Sequence, residues 1–162
     1  MTKLALPKID RKLISKKKDI IADLKKIVKA ENVLDHEDEI RPFETDALSA
    51  YKQKPLVVIF PENTQEVSKI LQYCNQRRIK VVPRGAGTGL SGGALPLADC
   101  VLLCLSKFNK IIDIDYKNRC VVAQPGVTNL AITQAVQSEG FYYAPDPSSQ
   151  IACSIGGNVA EN

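Results

Sequence analysis

Apolar residues along this chain fall into a few distinct spacings, and each spacing predicts a different element. Within residues 12–30, Ile20, Ile21, Leu24, Ile27 and Val28 recur at intervals of three and four, which places them on one face of an amphipathic helix whose other face is lysine. Residues 31–54 are mostly polar and read as a linker. Residues 56–60 form an unbroken apolar run closed by Pro61, as a buried strand does. Asn63 with Glu66 three positions on resembles a capping box, and Val67, Ile70, Leu71 and Cys74 supply one face of the helix it opens. Residues 79–82 are the next short strand. Residues 56–82 are therefore strand, helix, strand, which favours a right-handed parallel pairing.

The pattern changes in the second half. Residues 101–105 form another apolar strand. Ile112 and Ile114 then alternate with Asp113 and Asp115, the alternation breaks at residues 117–119, and it resumes over 120–123, as in an antiparallel hairpin. Thr128 caps a last helix running to about Ser138, with Gly140 as its stop, and the remaining residues are turn-rich. The fold class is α+β: a small parallel α/β lobe followed by a lobe of antiparallel strands and helices.

Composition narrows the picture further. The 162 residues suit about one domain, and with 44% hydrophobic and 25% charged residues the chain is neither disordered nor membrane-spanning. A net charge of +4 comes mainly from the lysine face of the first helix. That face reads as solvated, with an interfacial helix on anionic lipid as the alternative. It carries no interleaved aromatics, so nucleic acid is not an expected partner. The start, "MTKLALPKIDRK", lacks a continuous apolar segment, so no cleaved signal is read and a cytoplasmic location is expected. The 5 cysteines are odd in number and form no C-x-x-C pair, which points away from disulfides and zinc. One histidine, His36, lies among acids and reads as a surface residue; it leaves no metal cluster and no Ser-His-Asp arrangement.

The densest signal is "VVPRGAGTGLSGGALP", where Gly85, Gly87, Gly89, Gly92 and Gly93 are five of the chain's 9 glycines. Each costs roughly 0.5 to 1 kcal/mol relative to alanine, so a use for them is expected. Gly87, Gly89 and Gly92 spell a G-x-G-x-x-G dinucleotide fingerprint with Asp113 about 20 residues on, but that motif must open a helix, and here Pro96 and a strand follow. A P-loop would need a lysine after the glycines. A bare turn needs fewer glycines. The favoured reading is a backbone nest, whose successive N–H groups bind an anion directly, with Thr88 and Ser91 adding hydroxyls.

The loop, together with "TDALSAY", "VVAQPGVTN" and "PDPSSQIACSIGGNVAEN", resembles the flavin domain of the vanillyl-alcohol oxidase and p-cresol methylhydroxylase superfamily over roughly residues 41–162. Within it, the FAD-linked subunit of glycolate oxidase and the D-lactate dehydrogenases are most alike. The resemblance implies a two-part FAD-binding domain over residues 55–162, incomplete at its C-terminus, with residues 1–54 as an N-terminal helix and lead-in. Pro83, Arg84, Gly85, Ala86, Gly87, Thr88, Gly89, Leu90, Ser91, Gly92 and Gly93 would wrap the FAD pyrophosphate. Pro145, Asp146, Pro147, Ser148 and Ser149, with Ser154, Gly156, Gly157 and Asn158, would line the flavin and ribityl region. Some relatives attach FAD through a histidine just after the loop; here that place reads Gly92-Gly93-Ala94, implying non-covalent FAD.

Oxidising a 2-hydroxy acid such as glycolate or D-lactate needs a base, a cation for the carboxylate and a flavin to take the hydride. The chain supplies the flavin end and no catalytic residue is assigned; Asp113, Asp115 and Asp146 read as hairpin and turn residues. The family's substrate cap lies beyond "SIGGNVAEN", so the chain is expected to be an N-terminal piece. A second polypeptide carrying the cap and catalytic half is a possible partner. A non-catalytic remnant, or a flavin-binding module that needs a partner chain, is the alternative.

Overall fold

Val57, Val58 and Ile59 lie beside Val101, Leu102 and Leu103, and this pairing of two apolar runs is the centre of the molecule. The computed structural model describes residues 7–145 and 147–161; residues 1–6, where the start was read for a signal, Asp146, an expected cofactor contact, and Asn162 lie outside the described residues. Strands β1 (Val33–Leu34), β2 (Val57–Ile59), β3 (Lys80–Arg84) and β4 (Cys100–Cys104) form a four-stranded sheet in the order β1-β2-β4-β3. β2 and β3 both run parallel to β4, while β1 pairs antiparallel with β2. The expected strand-helix-strand unit is present, but β4 is inserted between its strands. All five residues of β4 are buried, the environment of a central strand covered on both faces.

Period-two alternation divides the core. Val57, Ile59, Val101 and Leu103 face Ile20, Ile21, Leu24, Val28, Ile70 and Cys74. Val58, Leu102 and Cys104 turn the other way, against Ile40, with Phe43 and Phe60 packed beside them.

Four expectations need correction. The first helix is two, α1 (Arg11–Ser15), capped by Asp10, and α2 (Lys17–Leu24). Beyond Leu24 the turn tightens through bonds from Lys26 to Asp23 and from Ile27 to Leu24, which still delivers Val28 to the core. The polar stretch is not a bare linker, for it contains β1 and α3 (Glu37–Ile40). A two-residue strand has too little pattern to read, and only its pairing of Val33 with Ile59 defines it.

In α4 (Thr64–Gln76), Asn63 Oδ1 accepts the Glu66 N–H at 2.9 Å, as a capping box requires, but the Glu66 carboxylate reaches back to Glu62 N–H at 2.7 Å. Leu71 is exposed and Tyr73 takes its place on the buried face, donating its hydroxyl to Asp23 at 3.1 Å.

β5 (Ile111–Asp115) and β6 (Cys120–Ala123) form the antiparallel hairpin. A register irregularity between Ile111 and Asp113 interrupts the alternation and leaves Ile112 exposed. Helix α5 (Asn129–Val136) follows its Thr128 cap and passes into a 3-10 turn, Gln137–Glu139, that ends at left-handed Gly140, φ 78°. The fourth correction is the tail: "SIGGNVAE" is not a turn but contains α6 (Ile155–Glu161). Two glycines in a helix cost about 1 kcal/mol each relative to alanine, so this helix depends on its neighbours.

Candidate functional site

β3 ends at Arg84, and the glycine loop then crosses the end of the parallel sheet. Within the loop, left-handed backbone is confined to Gly87, φ 75°, and Gly92, φ 78°, so Gly89 is not needed for its backbone angle. Other positions are glycine because space is short. A Cβ on Gly85 would lie 2.3 Å from Ser154 Oγ, and one on Gly93 would lie 2.7 Å from Glu161 Oε1. Among the described residues, no backbone N–H of residues 85–94 donates to the protein. Buried or half-buried N–H groups require partners, so these remain available to a ligand or to water.

The loop rests on a segment that the sequence reading left outside the site. Arg84 is buried, with Nη1 donating to Thr45 O at 2.8 Å and to Ala94 O at 3.4 Å. Its guanidinium lies 5.6 Å from the Phe43 ring centroid, and burial pulls its pKa below the ordinary value. Ala47 N–H donates to Gly87 O at 2.9 Å. Asp46 is buried too: Oδ1 accepts the Leu48 N–H at 2.9 Å, and Oδ2 has no partner among the described residues. The sequence signal for Thr45, Asp46, Ala47 and Leu48 is "TDALSAY", which supplies part of the resemblance but no site residue.

The facing wall comes from the second lobe. Buried Asn129 is its joint, donating from Nδ2 to Pro145 O at 3.3 Å and accepting from Asn158 Nδ2 at 2.6 Å. Thr128 bridges to Ser154, and Gly156 N–H donates to Pro125 O at 2.8 Å, so close that a Cβ on Gly156 would lie 2.9 Å from that oxygen. Asn129 and Pro125 belong to "VVAQPGVTN", again a quoted motif from which no site residue was taken.

Between the two walls is a cavity of about 370 Å³. Pro83, Arg84, Gly85, Ala86, Gly87, Thr88, Gly89 and Gly93 line one side; Pro147, Ser149, Ser154, Gly156, Gly157 and Asn158 line the other. Leu90, Ser91, Gly92, Pro145 and Ser148 lie outside the lining: Leu90 is exposed and Gly92 packs toward Leu48. Ala94, Leu105, Pro125, Cys153, Ala160 and Glu161 complete it. The cavity is walled by backbone and small side chains, suited to holding a long anionic molecule rather than to proton transfer. The acids of the hairpin are elsewhere, and Asp115 is held below its ordinary pKa by hydrogen bonds from Asn118. Burial pushes the Cys74 and Cys100 thiols up to about 11, away from reactivity. His36 is a surface residue, with its side chain 83% exposed.

A family model described as an FAD binding domain matches residues 55–162. The chain belongs to this FAD binding domain family. It is similar to the glycolate oxidase subunit GlcD of Escherichia coli, with 52% identity over 158 residues, 98% of this chain and 30% of that protein. It is also similar to a D-lactate dehydrogenase of Anaerostipes hadrus, 39% identical over 127 residues, 77% of this chain and 26% of the relative. In fold, it matches p-cresol methylhydroxylase with a TM-score of 0.68 at 22% identity, over 82% of this chain and 26% of the other. The chain thus spans about 30% of the length of the curated glycolate oxidase relatives it matches. Among the described residues, no helix is long and apolar enough to cross a membrane.

The residues present fit FAD. The glycine loop has the close-approach surface that a diphosphate needs, and among the described residues its N–H groups have no protein partner.

Proposed function

We propose that this chain holds FAD non-covalently in the cavity between its lobes, as the flavin-binding portion of an oxidoreductase acting on a 2-hydroxy acid such as glycolate or D-lactate. The reading is carried by one observation: a run of loop N–H groups with no protein partner among the described residues, beside glycines that leave no room for side chains. The loop from Arg84 to Gly93 takes the pyrophosphate through its backbone, while Ser149, Ser154 and Asn158 offer hydrogen bonds to the flavin and ribityl side. FAD, when bound, supplies the acceptor for the hydride of the hydroxy acid. The chain's own residues bind and orient; the base and the carboxylate-binding cation come from the remainder of the enzyme, on the same or a second polypeptide. Residues 55–162 form the flavin-binding unit, with residues 1–54 as its lead-in, and the protein works in the cytoplasm.

The test is thermal unfolding of the purified chain with and without FAD, together with its visible absorbance spectrum. At about 100 times the dissociation constant, FAD stabilises a folded binder by roughly 2.7 kcal/mol. A clear rise in melting temperature, or bound flavin on purification, is the expected result. Neither shift nor flavin would reduce the loop to an inherited motif in a chain that does not use it.

A further inference from the structure

Arg84 touches the glycine loop at Gly87 and again at its end, and we infer that it is a positioning residue that locks the loop from beneath and acts on the ligand only through it. The side chain leaves the last residue of β3, and Nη1 donates to Ala94 O at 3.4 Å, where the loop closes. The same nitrogen donates to Thr45 O at 2.8 Å, a residue 39 positions away. At the apex, a Cβ on Gly87 would lie 2.2 Å from Nη2 and 2.5 Å from Cζ, so the loop backbone lies directly on the guanidinium. Gly87 O is in turn held by the Ala47 N–H at 2.9 Å. Arg84 also borders the cavity, but with its relative exposure at 9% and its guanidinium against Gly87, Thr45 O and Ala94 O, the side chain is turned to the loop. A flat cation suits this place, because its planar face can lie under the loop backbone while one nitrogen reaches both carbonyls; an ammonium can donate to carbonyls but has no flat face to lie against the loop.

This inference rests on reading the loop as the pyrophosphate site, so the experiment separates the two. Wild-type, Arg84→Lys and Arg84→Met chains are compared by NMR, free and with inorganic pyrophosphate. In both variants the backbone order parameters of residues 85–94 are expected to fall from about 0.85 toward 0.6. Exchange of the Ala47 amide should quicken, and pyrophosphate binding weaken, each by roughly tenfold, the equilibrium effect of losing one such hydrogen bond. β2 and β4 should keep their wild-type protection.

If lysine restores loop order and pyrophosphate affinity, charge alone suffices and the inference is overturned. A loss of affinity with loop order unchanged also overturns it, since Arg84 would then be a direct ligand. Should the methionine variant not fold, the lysine variant decides between the same outcomes. A wild-type chain that binds neither FAD nor pyrophosphate sinks the functional reading, and loop order in the variants still decides the role of Arg84.

Discussion

The two lobes are built to different standards. β2 and β4 of the first lobe are buried throughout, with helices and a short edge strand around them. In the second lobe, Ile112, Val122 and Tyr142 are 65%, 51% and 74% exposed, and a hollow of about 360 Å³ lies between the hairpin, α5 and residues 141–143. An isolated two-stranded hairpin is marginal in water. The contrast teaches that the first lobe holds most of the folding stability, while the second is held by its seam with the first, where the cavity also lies. The cavity and the less secure packing therefore share one boundary.

Substitutions can break that contrast. The largest effect is expected from Leu102→Ala, in the fully buried central strand: a loss of about 2 to 5 kcal/mol in denaturant unfolding. The same truncation at exposed Ile112 should stay within about 0.5 kcal/mol. Equal losses at both positions would show that the lobes share stability evenly. Next is the cavity wall of the second lobe: Gly156→Ala drives a Cβ to within 2.6 Å of Pro125 Cβ and 2.9 Å of its carbonyl oxygen, and overpacking of this kind costs about 1 to 3 kcal/mol. FAD retention should fall further than the melting temperature; if melting falls and FAD binding does not, the ligand does not use this wall.

A smaller effect sharpens the picture with acid. Lys29, Asn32 and Lys107 hydrogen-bond Glu62 and hold its carboxyl down to about 2, from an ordinary 4.5. Because the folded value is the lower one, the stabilisation is complete above about pH 4.5 and is lost as pH falls toward 2. All these partners lie in the first lobe, so Glu62→Gln should flatten the acid limb of its melting curve between those values. An unchanged limb would show that other carboxylates set it. The smallest effect is expected from Glu161→Gln: removing a negative charge beside Gly93 should raise pyrophosphate affinity by up to about fivefold, measured by titration, as one solvated charge pair allows. A fall in affinity would mean that Glu161 helps to hold the ligand.

Much of this was legible in the sequence because it is local. The apolar runs of β2 and β4, the Asn63 and Thr128 caps and the Gly140 stop each depend on residues within a few positions, where propensity and periodicity act. The glycine loop also declared itself, through a cost that demanded a use. What stayed hidden depends on distant pairings. β1 exists because Val33 meets Ile59, and α6 forms over two glycines because its start is pinned to Pro125 and Thr128. Arg84 looks from sequence like an exposed charge, and becomes a buried one only when Thr45 and Ala94 close around it.

The sequence by itself determined the class of fold, the concentration of glycine in one loop and the change from parallel to antiparallel strands, since each is written in short-range pattern. Only the tertiary structure decided the insertion of β4 between β2 and β3, the joining of Pro145 and Asn158 through Asn129, and the close approach of Gly85 to Ser154. Those are contacts between residues far apart in the chain, whose partners are selected by burial and steric fit across the whole molecule.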